Sequence, residues 1–375
     1  MSALPLDGVR VIDASRVLAG PFATMLLADL GADVIKIEPP DGDETRTWGP
    51  PWWGAPDDRR SAYFASVNRN KRSVVLDLRT AQGQAAIQQL IEGAELLVHN
   101  YRPATAGRLG LDPEELARRH PRLVVATVGG FPGEDADRPA YDLLAQAVSG
   151  LMSVTGEPDG RPMKVGVAVL DLIAGLECAV GALAALVGGR ESARRVHVNL
   201  VETGVTSLIN VLGNHLASGA DAARHGNAHP NIAPYETFDA WDGHVVIAVG
   251  NDAQFRRLLD VLGLEMNPSF ATNPGRLAHR SDLTAWLADS VISWRRDELV
   301  AALAAVGVPA GPVNRVSEAL SALERDGPWI EEAGGIKMPP TPIHLDGARP
   351  SVRRAPPLLG EHTAEVLQAL RAFRE

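Results

Sequence analysis

Over its first 130 residues the chain alternates short β-branched runs with helical patterns, and this alternation restricts the fold more than any other feature. It predicts strands at Val9–Asp13, Asp33–Glu38, Ser73–Leu78, Glu95–His99 and Leu123–Val128, with helices at Phe22–Leu30, Ala81–Glu92 and Pro113–His120. Repeated strand–helix–strand units build a parallel sheet covered by helices on both faces. Local signals agree. Pro21 suits a first helical turn, and Asp112-Pro113-Glu114-Glu115 supplies an N-cap, a Pro at N1 and a Glu at N3.

In an open sheet of this kind, ligands bind beyond the carboxyl ends of the strands. The loops expected there are Ala14–Pro21, Pro39–Arg46, Arg79–Thr80, Asn100–Arg102 and Gly129–Gly133. The segment Pro39–Ala62, with Trp48, Trp52 and Trp53, exceeds an ordinary βα connection and reads as a functional or interface loop. Two apolar helices are expected at Tyr141–Met152 and Leu170–Val187, then a strand Val196–Leu200 and a helix Val201–Leu216. Ala217–Pro234 is rich in Ala, Gly, His and Asn, as a linker or pocket loop would be.

A hairpin follows, Tyr235–Trp241 and Val245–Val249 around Asp242-Gly243, with helices near Ala253–Leu262, Ser281–Ser293 and Asp297–Val306. From Pro339 the Pro-rich chain is expected to return to the first unit or to a partner chain. The fold class is therefore α/β: a large Rossmann-like domain with an open, mostly parallel sheet over 1–200, completed by about 330–375. A linker and pocket loop over 201–233 leads to a smaller α+β domain over 234–325.

The length of 375 residues suits two unequal units. A formal charge of −10 with no long lysine/arginine block argues against nucleic acid as a partner. The start, MSALPLDGVRVIDAS, lacks a basic region followed by an apolar one, so a cytoplasmic protein without a membrane span is expected. The single cysteine, Cys178, excludes an intrachain disulfide and a cysteine-cluster metal site, and its apolar surroundings predict core packing. His225 and His229 are four apart, but Gly226, Asn227 and Pro230 argue against a helix that would aim both at one metal, so no metal is expected. No P-loop, G-x-S-x-G elbow, H-E-x-x-H helix or properly spaced G-x-G-x-x-G is present.

Asp171 is the candidate for chemistry. It stands where MKVGVAVL (Met163–Leu170) meets a long apolar helix, an unusual place for an uncompensated carboxylate. Position alone allows two accounts: a helix N-cap accepting backbone N–H bonds, or a desolvated carboxylate made nucleophilic. Gly129 and Gly130 likewise read as a plain turn or as a loop that lets a ligand approach the backbone.

Long ordered strings resemble one family. They are RVLAGPFATMLLADLGADVIKIEPPDGDETRTWGPP, YFASVNRNKRSVVLDLR, VHNYRPATAGRLGL, RPAYDLLAQAVSGLM, VGVAVLDLIAGL, HGNAHPNIAPYETF and PPLLGEHT, and they are similar to the class III CoA-transferases. That family includes formyl-CoA transferase, carnitine CoA-transferase and α-methylacyl-CoA racemase. The resemblance implies an acyl-CoA:carboxylate CoA-transferase with Asp171 as nucleophile, a covalent aspartyl intermediate, coenzyme A as substrate, no tightly bound cofactor and an interlocked homodimer. It places CoA contacts on Leu18, Ala19, Leu76, Asp77, Leu78, Arg79, Asn100, Tyr101, Arg102, Arg108, Tyr141 and Asp142.

Gly129 and Gly130 become candidate donors to the thioester oxygen, and His229 and Asn231 candidate contacts for the acid. The chain has Leu18 and Pro39 where formyl-CoA transferase has glutamine and arginine, so that enzyme's acids do not carry over. It has Tyr141 where the racemases have their histidine, and racemisation becomes the alternative reading beside a non-catalytic acyl-CoA-binding protein. RVLAGPFATM, TRTWGPP, VNRNK and the PYETF segment are most similar to the succinate–hydroxymethylglutarate branch, which implies short dicarboxylic acids.

Overall fold

The computed structural model describes residues 3–189, 194–325 and 327–372. Residues 1–2, 190–193 and 373–375, within the expected large domain and its C-terminal completion, lie outside the described residues. The chain forms two compact units, one of Met1–Gly150, Val165–Ser207 and Pro328–Glu375, the other of Leu151–Lys164 and Leu208–Gly327.

The first unit is built on six parallel strands: β1 (Arg10–Asp13), β2 (Asp33–Glu38), β3 (Lys71–Val75), β4 (Leu96–His99), β5 (Val124–Gly129) and β6 (Arg195–Asn199). Their spatial order is β3-β2-β1-β4-β5-β6. Central strands are apolar on both faces because helices cover both. Val11, Ile12, Leu96, Leu97, Val98, Val124 and Val125 are all fully buried.

Helices α1 (Ala19–Asp29), α2 (Ala81–Glu92), α3 (Pro103–Arg108), α4 (Pro113–Arg119), α5 (Asp142–Val148) and α6 (Val169–Val187) belong to this unit, as do the shorter Ala62–Ser66 and Leu200–Thr206 and the helix Thr363–Ala372. Asp112 caps α4 as its sequence predicts, accepting from the Glu115 N–H at 2.9 Å. The chain end returns to the free edge of β3: His362 N–H donates to the Ser73 carbonyl at 2.9 Å, and Val75 N–H to Thr363 Oγ1 at 3.0 Å. That covering blunts an edge otherwise open to pairing.

Several boundaries differ from expectation for identifiable reasons. β3 ends at Val75, and Leu76–Arg79 form a turn in which Thr80 N–H bonds the Asp77 carbonyl and Thr80 caps α2. The helix expected over Tyr141–Met152 breaks at Gly150, whose φ is +89°, and resumes at Leu151–Val154. The one expected over Val201–Leu216 breaks at Ile209, φ +42°, into Leu200–Thr206 and Asn210–Ser218. Met163–Leu170 contains no strand; the chain runs irregularly into α6.

Helix α6 is long and apolar enough by composition to cross a membrane, but Ala174, Gly175, Cys178, Ala179, Ala182 and Ala185 on it are buried in the core. A Cβ on Gly175 would stand 2.6 Å from the Ala19 carbonyl oxygen, so glycine lets α6 cross close to the start of α1. Cys178 is fully buried, and burial raises its thiol to about 12, which makes it a packing residue.

The second unit holds the antiparallel hairpin Tyr235–Ala240 and Gly243–Ala248, extended by Ala310–Pro312, with helices Asp252–Leu262, Arg280–Val291 and Arg296–Ala305. Phe238, Val245, Ile247, Phe255, Leu258, Leu283 and Leu299 form its core.

Candidate active site

The strand order reverses between β1 and β4, and that is where a crevice opens at the carboxyl edge of such a sheet. The side chain of Asn100 ties its two banks together. It accepts from Arg16 N–H at 2.9 Å and donates to the Arg16 carbonyl at 2.7 Å.

Beneath the β1 loop lies a charge network with almost no solvent contact. Asp13 accepts from Lys71 Nζ at 2.9 Å, from Thr24 at 2.8 Å and from the Ser15 backbone and hydroxyl. Lys36 Nζ donates to Asp43 at 3.0 Å and to the Ser15 carbonyl at 2.9 Å. Burial opposes the ionised Asp13, but the ammonium groups of Lys71 and Lys36 outweigh it and hold the carboxyl well below its ordinary range. Burial likewise opposes a charged Lys36, and Asp43 and Asp13 outweigh it, so its pKa is raised. Asp43 also receives the Val17 N–H at 3.3 Å. Val17 has φ +69°, a strained setting for a β-branched residue, so the network holds the turn that leads into α1.

Asp171 is the third residue of α6. The N-cap is Ala168, which makes no side-chain cap bond. Asp142 caps instead, from 29 residues upstream: its Oδ1 accepts from Leu170 N–H at 2.8 Å and Asp171 N–H at 3.2 Å. Gln146 donates to the same carboxylate and accepts from Val165 N–H at 2.9 Å. The N-cap account of Asp171 is therefore corrected, because the helix end is satisfied by another residue. Burial raises the Asp171 carboxyl, and the neighbouring Asp142 charge raises it further, to about 7. The Tyr63 phenol is pushed up to about 12, by burial first and then by Asp171 and Asp142.

Asp171 faces a cavity of about 210 Å³ lined also by Leu18, Ala19, Asn100, Tyr101, Arg102, Gly129, Gly130 and Tyr141. A neighbouring cavity of about 550 Å³ is lined by Leu76, Asp77, Leu78, Arg79 and Arg108, with Tyr101 common to both. The residues expected to contact CoA thus fall on two adjoining cavities of the first unit. Asp142 lines neither, because its carboxylate is spent on α6. Arg79 is 72% exposed, its guanidinium on Asp77 at 2.8 Å, and Arg108 is exposed too, so both can turn to a phosphate at little cost.

His229 and Asn231 belong to the second unit. There His229 Nδ1 accepts from Asn231 N–H at 3.1 Å, and Asn231 pairs with Asn214 at 3.1 Å. Among the described residues no group of three metal-ligating side chains occurs. Tyr63, His99, Thr127 and His197 carry no role in the sequence reading, although Tyr63 lies within YFASVNRNK and His99 within VHNYRPATAGRLGL.

The first unit thus combines a Rossmann-like sheet with a desolvated carboxylate beside two cavities that share Tyr101. The chain belongs to CoA-transferase family III, whose model matches residues 6–363. A succinate–glutarate CoA-transferase of Agrobacterium fabrum (strain C58) is 40% identical, the match covering 98% of this chain and 96% of the relative. The human succinyl-CoA:glutarate CoA-transferase is 35% identical over 97% of this chain and 85% of its own. A CAIB/BAIF family protein from Brucella suis has a solved structure with a TM-score of 0.87 at 39% identity, covering 98% of this chain and 100% of that one.

Proposed function

We propose that this enzyme moves CoA between short dicarboxylic acids through a covalent intermediate on Asp171. One observation carries the reading: a carboxylate raised to about 7 lines a cavity at the sheet's switch point. In water a carboxylate is well solvated and weakly nucleophilic, whereas in a drier wall its ionised form is exposed to an electrophile. An Asp171 oxygen attacks the thioester carbonyl, the C–S bond breaks, and a mixed anhydride and CoA thiolate result. The thiolate attacks the aspartyl carbonyl, releasing the donor acid and leaving an aspartyl-CoA thioester. The acceptor carboxylate then repeats the sequence in reverse. Gly129 and Gly130, on the same wall, are the candidate donors to the thioester oxygen.

The named relatives support succinate and glutarate as the acids to test first. A panel of acyl-CoA donors and mono- and dicarboxylates, without added metal or nucleotide, is expected to give exchange. No exchange, with α-proton wash-out from a branched acyl-CoA, would indicate the racemase instead. The CoA tail occupies the second cavity, with Arg79 and Arg108 on its phosphates. Arg79→Ala and Arg108→Ala are each expected to weaken CoA binding about 10- to 100-fold, and equal wild-type affinity for CoA and 3′-dephospho-CoA would overturn the 3′-phosphate contact.

The acid limb of the rate profile should lie near pH 7, since only ionised Asp171 attacks. Asp142→Asn keeps an acceptor for the two N–H groups but removes the neighbouring charge, so the limb should move to lower pH while burial keeps it above the ordinary carboxylate value. An unmoved limb in kcat/KM would contradict the assignment.

Exposed Leu143, Leu144 and Val148 on α5, with Leu176 and Val180 on α6, support self-association, and the proposed assembly is the interlocked homodimer that the family resemblance implies, in the cytoplasm. Light scattering at micromolar concentration reads the dimer directly.

A further inference from the structure

Three side chains stand in a row across the Asp171 cavity. Strands β4, β5 and β6 pair in register, His99 beside Thr127 and Thr127 beside His197, so all three project from one face of the sheet. Thr127 Oγ1 lies 2.8 Å from His197 Nδ1, and all three line the cavity that holds Asp171. His99 is 1% exposed, yet neither of its ring nitrogens has a hydrogen-bond partner. Buried polar groups are nearly always paired, and an unused imidazole on a cavity wall points to a ligand group received there.

Several features indicate which group. Two imidazoles and a hydroxyl share the cavity lining with Arg102, which donates to the Asp137 carbonyl at 3.0 Å, and Arg138, which pairs with Asp135 at 3.0 Å. The wall carries two carboxylates: Asp171 itself, and Asp112, whose oxygen is committed to the Glu115 N–H. A donor-rich wall suits a carboxylate better than a neutral amide. Burial pulls His99 down to about 4, the nearby Leu111 backbone and Asp112 working upward and His197 downward, so the ligand meets a neutral imidazole.

We propose that His99, Thr127 and His197 form a subsite for the far carboxylate of a dicarboxylic acid whose other carboxyl reacts at Asp171. The proposal deepens the CoA-transfer reading and rests on it. It makes the row the element that separates diacids from monoacids.

The test compares kcat/KM for glutarate and for valerate, which has a methyl group in place of the far carboxylate, in wild type, His99→Leu and His99→Gln. Wild type should favour glutarate. His99→Leu should lower the glutarate-to-valerate ratio about 10- to 100-fold, the effect of losing a hydrogen bond to a charged group, and His99→Gln, which keeps an N–H donor, should retain part of it. An unchanged ratio in folded His99→Leu overturns the subsite. So does an equal fall for both acids with a raised KM for acyl-CoA, which would place a pantetheine amide at the imidazole. If His99→Leu does not fold, Thr127→Val must lower the ratio in its place, and an unchanged ratio there is equally fatal.

If wild type transfers CoA to no acid, the transfer reading fails by itself. Calorimetric titration then still tests the row: glutarate should bind wild type more tightly than His99→Gln, and valerate should bind the two alike. Equal glutarate affinity in both overturns the subsite.

Discussion

Asp171→Asn is expected to lower CoA transfer by about 10³-fold or more in a protein that still folds and binds CoA. The amide is nearly isosteric but cannot form an anhydride. It also takes nothing from the helix, since Asp142 supplies the cap of α6. The stability effect has a definite sign. The folded-state pKa of Asp171, about 7, lies above its ordinary 3.8, so the native state binds the extra proton between these values and wild-type stability falls as pH rises through that window. The penalty is at most about 4 kcal/mol, complete above pH 7 and missing from the amide variant. Asp171→Asn should therefore melt higher than wild type at pH 8 and nearly with it at pH 4. A variant less stable at pH 8 would show that the carboxylate is structural.

Lys71→Met is expected to cost about 3–5 kcal/mol of folding stability, the range for breaking a buried pair by removing one partner. Asp13 would be left fully buried without its ion-pair partner, keeping the Ser15 and Thr24 hydrogen bonds and the more distant charge of Lys36. The Arg10–Asp33 pair, 42% and 38% exposed, offers the contrast: Arg10→Met should cost less than about 1 kcal/mol. Urea titration of both variants measures the difference. Equal and small losses would mean that the network under the β1 loop relaxes or admits water.

The parallel sheet was legible because its central strands are buried on both faces and so read as continuous apolar runs. The slip at β3 shows where that signal fails. In VNRNKRSVVLDL the sequence favours a strand from Ser73 to Leu78, but the strand starts at Lys71, whose charge is tolerated because Asp13 meets it in the folded chain. Leu76 and Leu78 are buried as a turn against Ile87 and Leu90, so burial alone made them look like strand. Asp171 could be singled out, whereas its environment could not: Asp142 reaches it from a distant segment, and its effect exists only after folding. The row of His99, Thr127 and His197 depends on register between three strands far apart in sequence, which no local pattern encodes.

Mass spectrometry of the protein after incubation with succinyl-CoA tests the central claim most directly. With hydroxylamine as trap, the hydroxamate should appear on the peptide containing Asp171, should require acyl-CoA, and should vanish in Asp171→Asn. Modification of another residue, or full exchange activity in Asp171→Asn without any adduct, would contradict the aspartyl mechanism while leaving the family membership intact.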